Sequence, residues 1–432
     1  DSLARVVNRS VGGAIGNWSS VPVAIDADGD GRMEIAIMNG RNQVELFKAD
    51  GAGAPSRVWS LSGHGMVQYP GYTKANMMPA MADLDGDRRH EIIFAGASAN
   101  GLATLAVHRA DGGLIWEHVF DGAGFDGLYG SVERWFFGSF VGSPVRDVAV
   151  LFSRTGDNSS EIAVLDGEDG SLAWARRTIG EPPLRGIFSP NLLPVTGDFT
   201  AGGADEIAYA WGSIAYVIDG SDGSLLQAAS LPQVFYYSGA YYSFATLLRN
   251  AGDPAPRLLW HIGNFMGLQE FDMTGVWSHV LTAGNTFPPG LADADGDGVF
   301  EIGDAGADGV FRCYRADDGE PLWSAAVGQI PQSYVGVADV NHDGVDDYFF
   351  TTTSGNLTVL RSQVAPGQNR LLWQHPIGGG QHPIFCDVDA DGAGEFLVST
   401  ADGKLKCIDD VFDRPLIEQP PLQSAASMGS YE

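Results

Sequence analysis

The sequence predicts an all-β fold, a single β-propeller of eight four-stranded blades, with seven as the alternative count. Three observations predict it. A nine-residue acidic loop recurs along the 432 residues: Asp26-Ala-Asp-Gly-Asp-Gly-Arg-Met-Glu34, Asp83-Leu-Asp-Gly-Asp-Arg-Arg-His-Glu91, Asp293-Ala-Asp-Gly-Asp-Gly-Val-Phe-Glu301, Asp339-Val-Asn-His-Asp-Gly-Val-Asp-Asp347 and Asp387-Val-Asp-Ala-Asp-Gly-Ala-Gly-Glu395. Each loop leads into a short apolar strand, a turn, a second strand, an Asp-Gly turn and a strand that ends in tryptophan, which makes a unit of four strands. Trp59, Trp116, Trp174, Gln227 in the equivalent slot, Trp277, Trp323, Trp373 and Ile417 then follow one another at intervals of 57, 58, 53, 50, 46, 50 and 44 residues. A period of that size is one propeller blade.

The units start near Val21, Met78, Val141, Leu193, Phe244, Leu291, Val337 and Ile384. The third, fourth and fifth lack a good acidic loop: Arg146-Asp-Val-Ala149 and Asp253-Pro-Ala-Pro-Arg257 have lost it, and Asp198-Phe-Thr-Ala-Gly-Gly-Ala-Asp-Glu206 is a damaged copy. Within residues 1–20, Leu3-Ala-Arg-Val-Val7 reads as a strand that pairs with the last blade and closes the ring. Residues 418–432, polar with two prolines, read as a loose tail. The whole of 1–432 is expected to be one domain.

Composition narrows the function. With 54 acidic against 25 basic residues the net charge is −29, which repels nucleic acid and anionic membranes. No apolar run is long enough to span a bilayer, and a monomer is expected. Cys313, Cys386 and Cys407 are an odd number and match no zinc or haem spacing, so they read as small apolar strand residues. Four sequons, at Asn8, Asn17, Asn158 and Asn356, permit N-glycosylation of a secreted protein. A chain beginning at Asp1 implies a processed or trimmed N-terminus, and a secreted, extracellular location is the expectation.

The acidic loops read as structural calcium sites. A hard cation takes six to eight oxygens, and carboxylates at alternate positions of a tight, glycine-containing loop converge. The ligand sets are Asp26, Asp28, Asp30 and Glu34; Asp83, Asp85, Asp87 and Glu91; Asp293, Asp295, Asp297 and Glu301; Asp339, Asn341, Asp343 and Asp347; and Asp387, Asp389, Asp391 and Glu395. His90 and His342 are then surface residues of structural loops.

In a propeller the chain runs from the axis outward in each blade, so loops between first and second strands share one face. Function is expected on the other face, in connections that vary between blades. The longest, Ser62–Asn76, Gly124–Trp135, Gly180–Asn191 and Pro232–Ser243, belong to consecutive blades and surround one half of one mouth. They carry His64, Tyr69, Tyr129, Arg134, Arg185, Asn191, Tyr236, Tyr237 and Tyr241; Arg41, His261, Asn264 and His382 could complete the wall. Aromatic rings stack on sugar faces and arginine grips a carboxylate bidentately, so the set suits an acidic carbohydrate. His108, His118, His279 and His375 fall on outer strands, away from the mouth.

The repeat Asp-x-Asp-Gly-Asp-Gly followed by Glu-Ile resembles the FG-GAP or VCBS-type propeller repeat of integrin α-chains, fungal lectins and several polysaccharide lyases. Within that group, a secreted propeller with histidine and arginine at its mouth is most similar to the uronate-cleaving lyases, the fungal L-rhamnose-α-1,4-D-glucuronate lyases above all. That resemblance implies β-elimination at a 4-linked uronate of an arabinogalactan or gum arabic side chain. It implies Arg134 and Arg185 as carboxylate clamps with Arg41 in reserve, His64 as base or acid, and Tyr129 or one of Tyr236, Tyr237, Tyr241 and Tyr242 as its partner. The rivals are a calcium-dependent lectin or adhesion module, a glycoside hydrolase on the same propeller, and a quinone dehydrogenase, whose tryptophan repeat Asp169-Gly-Ser-Leu-Ala-Trp174 and Asp317-Asp-Gly-Glu-Pro-Leu-Trp323 resemble.

Overall fold

The computed structural model describes residues 4–10, 21–38, 43–49, 55–61, 79–97, 103–120, 129–142, 145–154, 160–177, 192–211, 214–231, 243–250, 255–281, 287–388, 392–400 and 404–410. For 4–10, 97, 129–134, 152–154, 160, 177, 192–193, 211, 243–244, 380–381 and 409–410 it describes the backbone alone. Among these residues there are strands and no helix, and the strands form eight sheets, one per blade. Blades 1 to 7 span residues 23–61, 80–119, 129–177, 195–230, 243–280, 290–326 and 336–376. Blade 8 combines residues 380–410 with strand Ala4–Ser10, which runs antiparallel to Lys404–Asp410 as its outermost strand. The N-terminal strand thus supplies the fourth strand of blade 8. Ile417, expected in that outer strand, lies outside the described residues.

Why the two middle strands of each blade read as apolar runs is clear from their burial. Glu34–Met38, Ala103–His108, Phe265–Gln269 and Glu395–Thr400 are buried along their whole length, because each lies between the faces of two neighbouring blades. The fourth strands, such as Leu225–Ser230 and Pro321–Ala326, alternate exposed and half-buried residues, since one face of each meets solvent.

The tryptophan period has a direct cause. In four blades the indole Nε1 donates to a backbone carbonyl of the next: Trp59 to Ala110 (2.9 Å), Trp116 to Gly167 (2.8 Å), Trp174 to Gly220 (2.8 Å) and Trp277 to Ala316 (2.9 Å). The carbonyl belongs to the turn between strands three and four, where an aspartate caps the backbone, as when Asp169 Oδ1 accepts from Ser171 N–H at 2.8 Å. The glycine after that aspartate lies under the ring. A Cβ on Gly170 would come within 2.6 Å of Trp116, and one on Gly223 within 2.7 Å of Trp174. Blade 4 has Gln227 where blades 1–3 and 5–7 have tryptophan, and the next turn replaces glycine with Met273, at φ 66° and packed in the core with Phe199 and Leu231. At the junction of blades 6 and 7, Arg370 covers the Trp323 ring at 3.9 Å.

Two features break the eightfold pattern on the same side of the ring. The innermost strand of blade 3, Tyr129–Gly138, has ten residues where the other innermost strands have three to seven. This corrects the expected start of that unit near Val141, and it moves Tyr129 and Arg134 from a connecting loop onto a strand. Leu192–Leu193 adds a fifth strand to blade 5, parallel to Ser243–Leu248 on the axis side.

Candidate functional site

On the face of the acidic loops, the sequence motif resolves into two jobs. The first is a clasp. One oxygen of the ninth-position carboxylate accepts the backbone N–H of the loop's second residue: Glu34 from Ala27 (2.8 Å), Glu91 from Leu84 (2.8 Å), Glu206 from Phe199 (2.6 Å), Glu301 from Ala294 (2.7 Å) and Glu395 from Val388 (2.6 Å). Asp147 does the same in blade 3, accepting from Phe140 at 2.8 Å and Val141 at 2.9 Å. The clasp outlives the acidic motif: blades 3 and 4 keep it without the full set of aspartates. Lateral bonds join the loops between blades, as from His90 N–H to Ala27 carbonyl at 3.0 Å and from Asp205 N–H to Ser139 carbonyl at 2.9 Å.

The second job is convergence of charge. Asp83, Asp85 and Glu91, and separately Asp293, Asp295 and Asp297, bring carboxylate oxygens within 4.8 Å of one another. An all-oxygen donor set of this kind suits a hard divalent cation. Burial, joined by the neighbouring aspartates, pushes Glu91 and Glu301 up to about 7 against the pull of their backbone hydrogen bonds. Burial and Asp343 push Asp347 up to about 7 as well. In the loop of blade 7, Asn341 Nδ2 donates to Asp347 Oδ2 at 3.0 Å and its Oδ1 accepts from Asp343 N–H at 2.9 Å, so the amide is engaged inside the loop. Asp389 and Asp391 lie outside the described residues. The trio Asp26, Asp28 and Glu34 also converges, but the Lys48 ammonium lies among the carboxylates of that loop.

On the opposite face, the sequence-predicted mouth residues fall into three groups. Arg41, His64, Tyr69, Arg185, Asn191, Tyr236, Tyr237, Tyr241 and Tyr242 lie outside the described residues. Tyr129 and Arg134 lie on the long innermost strand of blade 3, in register with Arg154 and Leu151, and the register shifts between Val132 and Arg134. A bulge at that point bends the strand and increases its twist. Innermost strands start at the mouth, so the overhanging end of this one stands at the mouth rim. Arg154, across from Tyr129, was not singled out in the sequence because it follows an ordinary apolar run.

His261, Asn264 and His382 form the third group. His261 is only 1% exposed, on the second strand of blade 5, with its Nε2 3.8 Å from Asp304 Oδ1 of blade 6. It is buried beneath the rim, where the sequence reading put it on the wall. Burial lowers its pKa, against the pull of Asp304, and favours the neutral ring. Asn264 occupies the tight turn after that strand and its carbonyl accepts from Leu281 N–H at 2.7 Å. His382, half-buried and at φ 49°, stacks on Tyr334 with ring centroids 4.8 Å apart and meets Phe287 edge-on at 5.7 Å. Its Nδ1 accepts the Tyr334 N–H at 3.4 Å, and Tyr334 Oη donates to Pro383 carbonyl at 3.1 Å. This group staples blades 7 and 8 together at the rim.

These features define an eight-bladed β-propeller with cation-type loops on one face and an asymmetric rim on the other. Residues 26–94 match the FG-GAP-like repeat. No curated protein sequence matches the chain. Among solved structures, the chain is similar to the Bacillus licheniformis rhamnogalacturonan lyase, at 15% identity and TM-score 0.59, over 94% of this chain and 75% of that one. It is also similar to BamB from Moraxella catarrhalis, at 11% identity and TM-score 0.55, over 94% of this chain and 100% of that one. A third, a europium-containing methanol dehydrogenase, shares 13% identity at TM-score 0.58 over 92% and 85%. At such identities the likeness is one of fold, shared by enzymes and other proteins alike.

Proposed function

We propose that this propeller is a secreted, calcium-stabilised carbohydrate-active enzyme that cleaves a uronate-containing glycan by β-elimination, with an L-rhamnose-α-1,4-D-glucuronate end as its specific substrate. The observation that carries the reading is the ten-residue innermost strand of blade 3, which overhangs one side of the mouth and bears Tyr129 and Arg134. It makes the mouth one-sided, which suits a single pocket better than a ring of equal sugar sites. The likeness of fold to a rhamnogalacturonan lyase supports the same chemistry.

In this reading an arginine, Arg134 or Arg185, neutralises the uronate carboxylate and so acidifies the proton on C5. His64 removes that proton. The electron pair forms the C4–C5 double bond, the C4–O4 bond breaks, and Tyr129 returns a proton to the departing rhamnose oxygen. His261 and Asp304 support the rim from beneath. The test is incubation with a rhamnose-capped glucuronate oligosaccharide. Release of rhamnose together with an ultraviolet-absorbing unsaturated uronate, lost in His64→Ala and Arg134→Ala, is the expected result. Incorporation of water at the cleaved bond would make the protein a hydrolase, and binding without turnover would make it a lectin.

A further inference from the structure

The acidic loop of blade 1 is the most regular in the sequence, yet its geometry disagrees with a bound cation. Lys48 Nζ lies 2.6 Å from Asp28 Oδ2, 2.9 Å from Asp30 Oδ2 and 2.8 Å from Glu34 Oε1. Glu34 is 1% exposed and Lys48 22%, so the ammonium enters the loop from the sheet side rather than from bulk solvent. Lys48 pairs directly with Glu34 across the second and third strands, which aims both side chains at the same face.

In blades 6, 7 and 8 the residue at the same register position is not lysine. Arg315 pairs with Glu301 but turns to Asp317 (3.1 Å) and Asp318 (2.7 Å) of its own turn. Opposite Glu395 in the register the sequence has Asp409. Arg361, one residue past the pairing of Tyr348 with Leu360, reaches the Asn369 carbonyl at 3.3 Å. Among these positions only Lys48 combines a single compact charge with a stem long and flexible enough to reach the centre of the loop.

We infer that Lys48 is the resident cation of blade 1: its ammonium occupies the place a calcium ion would take, so this loop is closed without metal while its sister loops bind it. The nine-residue motif is thus split by one residue fourteen positions downstream of Glu34 into a self-neutralised loop and metal-dependent ones. Blade 1, which follows the ring-closing strand and adjoins blade 8, stays fixed when calcium is removed.

The inference rests on the calcium reading of the sister loops, and the experiment separates the two. Bound calcium per chain is measured by equilibrium dialysis for the wild type, Asp26→Asn/Asp28→Asn, Asp293→Asn/Asp295→Asn and Lys48→Met. The expected result is no change for the blade 1 double variant, a loss of one ion for the blade 6 double variant and a gain of one for Lys48→Met. A loss of one ion in Asp26→Asn/Asp28→Asn, or no gain in a folded Lys48→Met protein whose wild type binds calcium, overturns the inference. If the wild type binds no calcium, the calcium reading falls and the lysine is judged in chelator alone. There Lys48→Met must melt several degrees below wild type, and equal melting overturns the inference.

Discussion

The docking of each tryptophan on the next blade yields a sharp prediction, because it turns on the space above one glycine. Gly170 has φ 72°, and a Cβ added there would lie 2.6 Å from two carbons of the Trp116 ring. Gly367 provides the control: it sits in the turn between the same two strands of blade 7, at φ 86°, with nothing within 4 Å of the same Cβ. Both substitutions to alanine carry the strain of a left-handed conformation, about 1–2 kcal/mol. Only Gly170→Ala must also displace the buried indole. That endangers the 2.8 Å bond from Trp116 to the Gly167 carbonyl, worth roughly 1 kcal/mol, and adds an overpacking cost of about 1–3 kcal/mol. Gly170→Ala should therefore destabilise by roughly 3–6 kcal/mol and Gly367→Ala by about 1–2. Gly112→Ala, where the Cβ would meet Trp59 at 3.1 Å, should fall between them. Guanidinium unfolding followed by tryptophan fluorescence reads the order from the midpoints at constant slope. The cycle with Trp116→Phe should show coupling, since the smaller ring relieves the clash. Equal destabilisation by Gly170→Ala and Gly367→Ala would show that the glycine under the ring does not seat the tryptophan.

Three further predictions concern the loops and the ring closure. Excess chelator should lower the melting temperature, with calcium restoring it; no change after demonstrated metal removal would count against occupied loops. In chelator, stability should fall as pH rises from about 4.5 toward 7, because Glu91 and Glu301, held at about 7 in the fold against an ordinary 4.5, bind protons there that the unfolded chain has released. Calcium should flatten that slope by favouring the ionised carboxylates, and an identical pH profile with and without calcium would contradict it. Removing residues 1–10 should strip the outer strand from blade 8 and expose the edge of Lys404–Asp410, giving a lower melting temperature and aggregation by size-exclusion chromatography.

Most of the fold was legible because the features that specify it are local and repeated. A tryptophan about every fifty residues, an Asp-Gly turn and an acidic loop each encode one contact between neighbouring blades, and six tryptophans with five intact loops make the period readable even where Gln227 interrupts it. The start of blade 3 was not legible. Its strand passes through Gly130 and then a bulge near Glu133, and a bulge shifts the two-residue alternation by which strands are recognised. The clasp was half legible: the glutamate at position nine is plain in the sequence, but its bond to a backbone N–H uses no second side chain and so leaves no partner to read.

The site was less legible than the fold for a related reason. A repeat encodes what every blade does, whereas a binding pocket depends on what one blade does differently. Lys48 illustrates this at the loops, where an unremarked residue of a neighbouring strand decides which cation an apparently perfect motif holds. His261 illustrates it at the mouth: its place after an apolar run before a glycine turn suggests a rim residue, and only the packing of blade 5 on blade 6 reveals that it is buried against Asp304. The asymmetry that matters, the long strand of blade 3 and the added strand of blade 5, comes from two of the three units whose acidic loops are lost or damaged. Loss of the metal-type loop and gain of irregular strand pairing thus fall on the same side of the wheel. The blades least bound by the repeat are the ones free to build a pocket.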